Sequence, residues 1–140
     1  MPNPPRVRGI LETALYVDDL SLASAFYQGT FGFPVLVENP RICALDVAGR
    51  SVLLLFQRGA TVGGLATTSG FVPSHDGSGQ VHFAFAVAME DLEAWEEYLA
   101  SHAIMIESRV EWERGGVSLY FRDPDGHSVE LVTEGTWATY

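Results

Sequence analysis

The sequence predicts an α+β fold of two repeated units, each a strand, a helix and three further strands. Three observations predict it. ETALYV from Glu12, followed by Asp18-Asp19-Leu20, reappears 70 residues later as HFAFAV from His82, followed by Glu90-Asp91-Leu92. Between the copies, residues 59–80 are rich in Gly, Ser and Thr and show no period, which marks a connecting loop. GVSLYFRDPDGHSVELVTEG, residues 116–135, reads as a β-hairpin, with Val117, Leu119 and Phe121 alternating against Ser118, Tyr120 and Arg122. One domain over residues 8–135 is expected, its repeats at about 8–58 and 80–135.

Each element follows from local pattern. Residues 9–17 alternate as a strand, with Leu11, Leu15 and Val17 on one face and Ile10, Glu12, Ala14 and Tyr16 on the other. Asp18-Asp19-Leu20-Ser21 supplies helix-capping chemistry, Leu22, Ala25, Phe26 and Phe31 recur at helical spacing, and Gly32 can end the helix. Three strands follow over 33–38, 41–47 and 51–57, with Pro40 and Ala48-Gly49-Arg50 at the turns. In the second unit, Val81, Phe83, Phe85 and Val87 face away from His82, Ala84, Ala86 and Ala88. Glu90-Asp91 then caps a helix carrying Leu92, Trp95 and Leu99 on one stripe. Strands near 104–110 and the final hairpin complete it, with Asp123-Pro124-Asp125-Gly126 as the turn.

Composition narrows the function classes. Apolar residues at 47% and charged residues at 19% describe an ordinary globular domain. Eight arginines, no lysine and a net charge of −10 repel phosphate backbones, so nucleic acid is not an expected partner. No apolar run is long enough for a membrane helix, and the N-terminus lacks a signal-peptide core, so a soluble, cytoplasmic protein is expected. Cys43 is the single cysteine, and zinc-type Cys/His spacings are absent.

The unusual residues share one parity. Glu130 is a carboxylate in mid-strand between Val129 and Leu131, so it faces water or something positive. Glu12 and His82 occupy equivalent positions of the repeat, beside the small residues Ala14, Ala84 and Ala86 that leave room for a ligand. Two carboxylates and a neutral imidazole can hold a divalent cation with positions left for water or substrate. Alone, each residue is more simply a solvated side chain; the shared parity within a repeat is what joins them. By the same alternation Ser118 and Tyr120 are candidate substrate contacts. Loop residue His75 is a candidate lid or base, and Arg114 a candidate pocket edge.

ETALYVDDLSLASAFYQGTFGF, HFAFAV and SLYFRDPDGHSVEL, at these spacings, resemble the vicinal oxygen chelate superfamily. That family includes glyoxalase I, extradiol dioxygenases, fosfomycin-resistance enzymes and bleomycin-resistance proteins. The resemblance implies two βαβββ modules forming a cupped, barrel-like mixed sheet with helices outside, a metal in the cup, and a homodimer. It places the metal ligands at Glu12, where relatives usually carry His or Gln, at His82 and at Glu130, and implies one divalent ion, with Zn, Mn, Fe, Ni and Co not distinguished. The fourth ligand of glyoxalase I would fall on Leu53 or Leu54, which disfavours that activity, and Glu12 in place of His disfavours extradiol cleavage. SLYFRDPDGH is most similar to the fosfomycin-resistance enzymes, in which the matching Ser118 and Tyr120 contact the phosphonate. Ala14 in place of their threonine, and the lack of lysine, depart from that pattern.

The expectation is therefore a metal-dependent enzyme of isomerase, lyase or epoxide-addition chemistry. The metal would act as Lewis acid on a small substrate, with Glu12 and Tyr120 as the catalytic side chains. The alternative is a metal-free protein that sequesters a small molecule in the cup.

Overall fold

Apolar residues of one parity bury, and this decides the architecture. The computed structural model describes residues 1–140. The first unit comprises β1 (Glu12–Val17), α1 (Leu20–Phe31), β2 (Val35–Glu38), β3 (Ile42–Val47) and β4 (Ser51–Gln57). The connecting segment carries β5 (Leu65–Thr67) and β6 (Gly70–Val72). The second unit comprises β7 (His82–Ala86), α2 (Leu92–Ser101), β8 (Ser108–Glu111), β9 (Val117–Arg122) and β10 (Ser128–Val132).

The two units have the same topology. Their four-stranded mixed sheets are ordered β1-β4-β3-β2 and β7-β10-β9-β8, with the outer pairs β1/β4 and β7/β10 parallel. No hydrogen-bond ladder joins the sheets. They are welded by one core instead: Leu15, Val17, Leu45, Leu53 and Leu55 of the first unit with Leu119, Phe121, Val129 and Leu131 of the second. Helix α1 carries the seam, through Tyr27 against Phe83, Phe31 against Phe85 and Phe26 against Phe121. Asp19 caps α1 by accepting from the Leu22 amide at 3.0 Å, and Gly32, at φ 68°, ends it in the left-handed conformation that glycine tolerates best.

A lattice of polar contacts pins the hairpin loop to the first unit. The Asp123 carboxylate accepts from the Tyr27 hydroxyl at 2.6 Å and from the amides of Asp125 and His127 at 3.0 and 2.9 Å. The imidazole of His127, 1% exposed, accepts from the Val81 amide at Nδ1 and donates to the Tyr16 carbonyl at Nε2, each at 3.0 Å. One ring thus ties the end of β1 to the start of β7.

Three expectations change. Residues 59–80 contain the β5–β6 hairpin, closed by a Thr67–Gly70 turn that is too short for a periodic signal to reveal. Asp91 makes no side-chain cap on α2; the chain enters that helix through a 3-10 turn at Met89–Asp91. Two strands start later than their patterns, β1 at Glu12 and β8 at Ser108. No helix is long and apolar enough to cross a membrane.

Candidate metal centre

The face of each sheet opposite the core is where the polar residues gather. On the second sheet, register places Tyr120 beside Glu130 and Ser118 beside Val132 across the β9/β10 pair, and Ala84 beside Glu130 across β7/β10. Ser108 and Val110 continue the row onto β8. Small residues on β7 leave the carboxylate of Glu130 within reach of His82.

The contacts form one chain. The Trp112 indole N–H donates to Ser118 Oγ at 2.8 Å, and the Ser118 hydroxyl donates to Glu130 Oε2 at 2.5 Å. The other carboxylate oxygen, Oε1, lies 3.1 Å from His82 Nε2. His82 Nδ1 lies 3.0 Å from the Ser128 carbonyl, which can only accept, so Nδ1 carries the proton. In the neutral imidazole Nε2 is then a bare lone pair facing a carboxylate oxygen. Two acceptors at that separation need a positive charge, supplied either by a second proton on His82 or by a cation between them. Glu130 is nearly buried whereas the His82 side chain is 51% exposed, so the pair opens to solvent on the histidine side. Burial first, and the Glu130 charge second, push the Tyr120 phenol above its ordinary value. Tyr120 therefore stays a protonated donor at the edge of the pair, its ring 6.1 Å from that of His82.

Glu12 does not join them within one copy of the chain. No group of three His, Cys, Asp or Glu side chains comes together in it. The reason is the seam. His127 holds the Tyr16 carbonyl beside the Val81 amide, so β1 meets the His82 end of β7 at Tyr16. Glu12 lies four residues further along β1, roughly 13 Å away at strand rise, far beyond ligation distance. It is exposed at the free edge of the first sheet.

The other candidates scatter. Ser118 is fully buried and its hydroxyl is engaged on both sides, accepting from Trp112 and donating to Glu130. His75 is docked on the first sheet, with Nδ1 2.6 Å from the Tyr16 hydroxyl. Arg114 is exposed in the turn between β8 and β9. The parallel registers also decide the glyoxalase position. Ala14 pairs with Leu54 as Ala84 pairs with Glu130, so Leu54 is the first-unit counterpart of Glu130, and Ala44 that of Tyr120. Trp112, which from sequence either lines a pocket or covers the core, falls on this face as the continuation of the Ser108, Val110 alternation. Clefts of about 610 and 440 Å³ lie at the 103–107 segment and between the α1 and α2 ends and include none of these residues.

Residues 9–131 match the Glyoxalase/Bleomycin resistance protein/Dioxygenase superfamily. The chain belongs to that superfamily. It is 30% identical over 129 residues to the metallothiol transferase FosB of Bacillus licheniformis, covering 91% of this chain and 77% of the relative. Over 61 residues, 44% of this chain and 41% of the relative, it is 41% identical to the glutathione transferase FosA of Serratia marcescens. The crystal structure of lactoylglutathione lyase from Agrobacterium tumefaciens superposes with a TM-score of 0.86 at 34% identity, covering 97% of this chain and 99% of that one.

Proposed function

We propose that this member of the superfamily is a metal-dependent enzyme that joins a thiol to a small oxygen-bearing electrophile such as an epoxide. The observation that carries the metal is the His82 Nε2–Glu130 Oε1 approach of 3.1 Å, a pair of acceptors whose other ends, His82 Nδ1 and Glu130 Oε2, are each already bonded. The thiol is supported by the names of the three relatives, metallothiol transferase, glutathione transferase and lactoylglutathione lyase. His82 and Glu130 would hold one divalent ion, and a bound ion would supply Lewis acidity toward the electrophile's oxygen. In the reaction, a C–S bond forms as a C–O bond breaks, and the thiol proton ends on the released oxygen. Tyr120, kept protonated, is placed to donate a hydrogen bond to that oxygen, while Ser118 and Trp112 fix the carboxylate orientation.

A second copy completes the site in this reading. The chain exposes 8992 Å², against about 7,100 Å² for a monomeric protein of its mass. The excess, roughly 1,900 Å², is what one subunit of an obligate dimer buries. Glu12 of a second copy, from an open sheet edge, would then be the third ligand and candidate base.

Metal analysis of as-purified protein, repeated after separate add-back of Mn, Fe, Co, Ni and Zn, tests the centre. About one ion per chain, lost in Glu130→Gln and His82→Ala, is expected, with metal-dependent loss of free thiol when glutathione is incubated with an epoxide panel. Absence of stoichiometric metal under every add-back refutes the centre. Mixing inactive Glu12→Gln and Glu130→Gln chains should restore one intact site per mixed dimer. The second reading, a metal-free small-molecule binder, is favoured by the same contact if His82 is an imidazolium paired with Glu130; it expects neither metal nor thiol consumption.

A further inference from the structure

We propose that the open face of the first sheet carries an oxyanion subsite built around Phe56, in which His75 and Arg41 receive an anionic group of the substrate. This rests on the reading that the open faces hold substrate.

Three groups surround one ring. Phe56 pairs with Tyr16 across β1/β4 and points to the same face. The Tyr16 ring stacks on it at 6.0 Å, the His75 ring stands edge-on at 4.8 Å, and the Arg41 guanidinium lies 5.6 Å from its centroid. The ion-paired arginines of the chain are Arg58, Arg109 and Arg122. Arg41 is not among them. Its Nε donates to the Ala60 carbonyl at 3.3 Å, which leaves both terminal nitrogens free for a bidentate oxyanion. In an acidic chain without lysine, an uncommitted guanidinium on a sheet face is a conspicuous donor.

His75 is fixed although it lies in the connecting segment. Its amide donates to the Thr61 carbonyl at 3.3 Å, and the buried Thr61 hydroxyl donates back to the His75 carbonyl. Gly77 packs so closely on Tyr16 that a β-carbon there would fall 2.4 Å from the ring. Arg58 holds the carbonyls of both Gly77 and Tyr16, at 2.9 and 3.2 Å. Burial, then the charge of Asp76, pushes the Tyr16 phenol upward, so it keeps a proton that it can give to His75 Nδ1, 2.6 Å away. The neutral imidazole then keeps its proton on Nε2, which has no partner in the chain and is presented as a donor. Asp76 turns its carboxylate onto the Gly77 amide at 2.9 Å. Tyr16 is thus a positioning residue that sets the tautomer, and His75 and Arg41 are the contacts.

The test uses full-length, chelator-treated protein labelled with ¹⁵N-histidine and titrated with inorganic phosphate or acetate. Expected is a saturable shift of the His75 Nε2 resonance, with affinity falling roughly tenfold in Arg41→Gln, and the same fall read by titration calorimetry in His75→Gln, as for loss of a charge-assisted hydrogen bond. Tyr16→Phe keeps the ring but should turn a single Nε2–H tautomer into a mixture, with thermal unfolding recorded to show that the fold is retained. A preference for phosphate or for acetate identifies the oxyanion as phosphoryl or carboxylate. No saturable shift with either anion overturns the subsite, as does binding that survives Arg41→Gln but disappears in His82→Ala, which would put the anion at the His82 imidazole. Metal uptake does not involve Arg41 or His75, so the two proposals fail separately.

Discussion

Ser118→Ala is the sharpest perturbation of the proposed centre because it removes one oxygen and nothing else. That hydroxyl is 0% exposed, takes the Trp112 N–H at 2.8 Å and donates to Glu130 at 2.5 Å. The lost bond to an ionised, nearly buried acceptor is worth about 1.5–3 kcal/mol. Trp112 is 39% exposed, so its freed N–H can turn to water at little cost. A destabilisation of about 2 kcal/mol should lower Tm by about 7 °C, given an unfolding entropy of about 2.1 cal/mol/K per residue. The carboxylate also loses the partner that orients it toward His82, so divalent metal affinity should drop about 10–100-fold. Calorimetry reads the first effect and competition against a chelating dye the second. Stability within about 0.5 kcal/mol of wild type, together with unchanged metal affinity, would refute the account of Ser118 as the group that holds Glu130.

Two further residues test the scaffold. Tyr27→Phe removes the 2.6 Å bond to Asp123 that ties α1 to the hairpin loop and should cost about 2 kcal/mol in urea unfolding. Burial, and then the Asp123 charge, raise the Tyr27 phenol in the folded state. Its contribution is therefore complete below the unfolded value near pH 10 and is lost above it, at about 1.4 kcal/mol per pH unit. The fall in wild-type stability above pH 10 should be shallower in Tyr27→Phe; an identical slope would show that Tyr27 ionises equally in both states. Cys43 is fully buried, its thiol raised by that burial and lying 3.4 Å from Ser24 Oγ. Its reaction with an aromatic disulfide should follow global unfolding, and labelling of the folded protein within seconds would show local opening at β3.

Much of this was legible in the sequence because period-2 alternation fixes faces without tertiary information. The parity that separates Leu15 and Val17 from Glu12 and Tyr16 is the observed division between core and open face. The oddity of Glu130 in mid-strand also pointed to a neighbour across the sheet, and His82 Nε2 lies 3.1 Å from its Oε1. What parity cannot give is the relation between units. Glu12 and His82 are equivalent in the repeat, yet the His127 bridge joins β1 to β7 at Tyr16, and that long-range contact has no local signature. Ser118 shares a face with Tyr120, but its full burial depends on Trp112 folding over it from beyond the end of β8. The β5–β6 hairpin escaped notice because three-residue strands are shorter than any readable period.

Leu54 and Ala44, standing where the other unit has Glu130 and Tyr120, divide the chain into halves under different selective rules. A change at Leu54 or Ala44 alters volume alone, in hydrocarbon, on a face that Glu12 and Tyr16 share. A change at Glu130 or Tyr120 alters charge or a proton donor. Substrate range can therefore drift through the first half without disturbing the polar apparatus of the second. A library confined to Ala14, Ala44 and Leu54 would vary the volume of that face while leaving Glu12, His82 and Glu130 in place, an economy available to a duplicated fold in which the position of Glu130 is a leucine in the other copy.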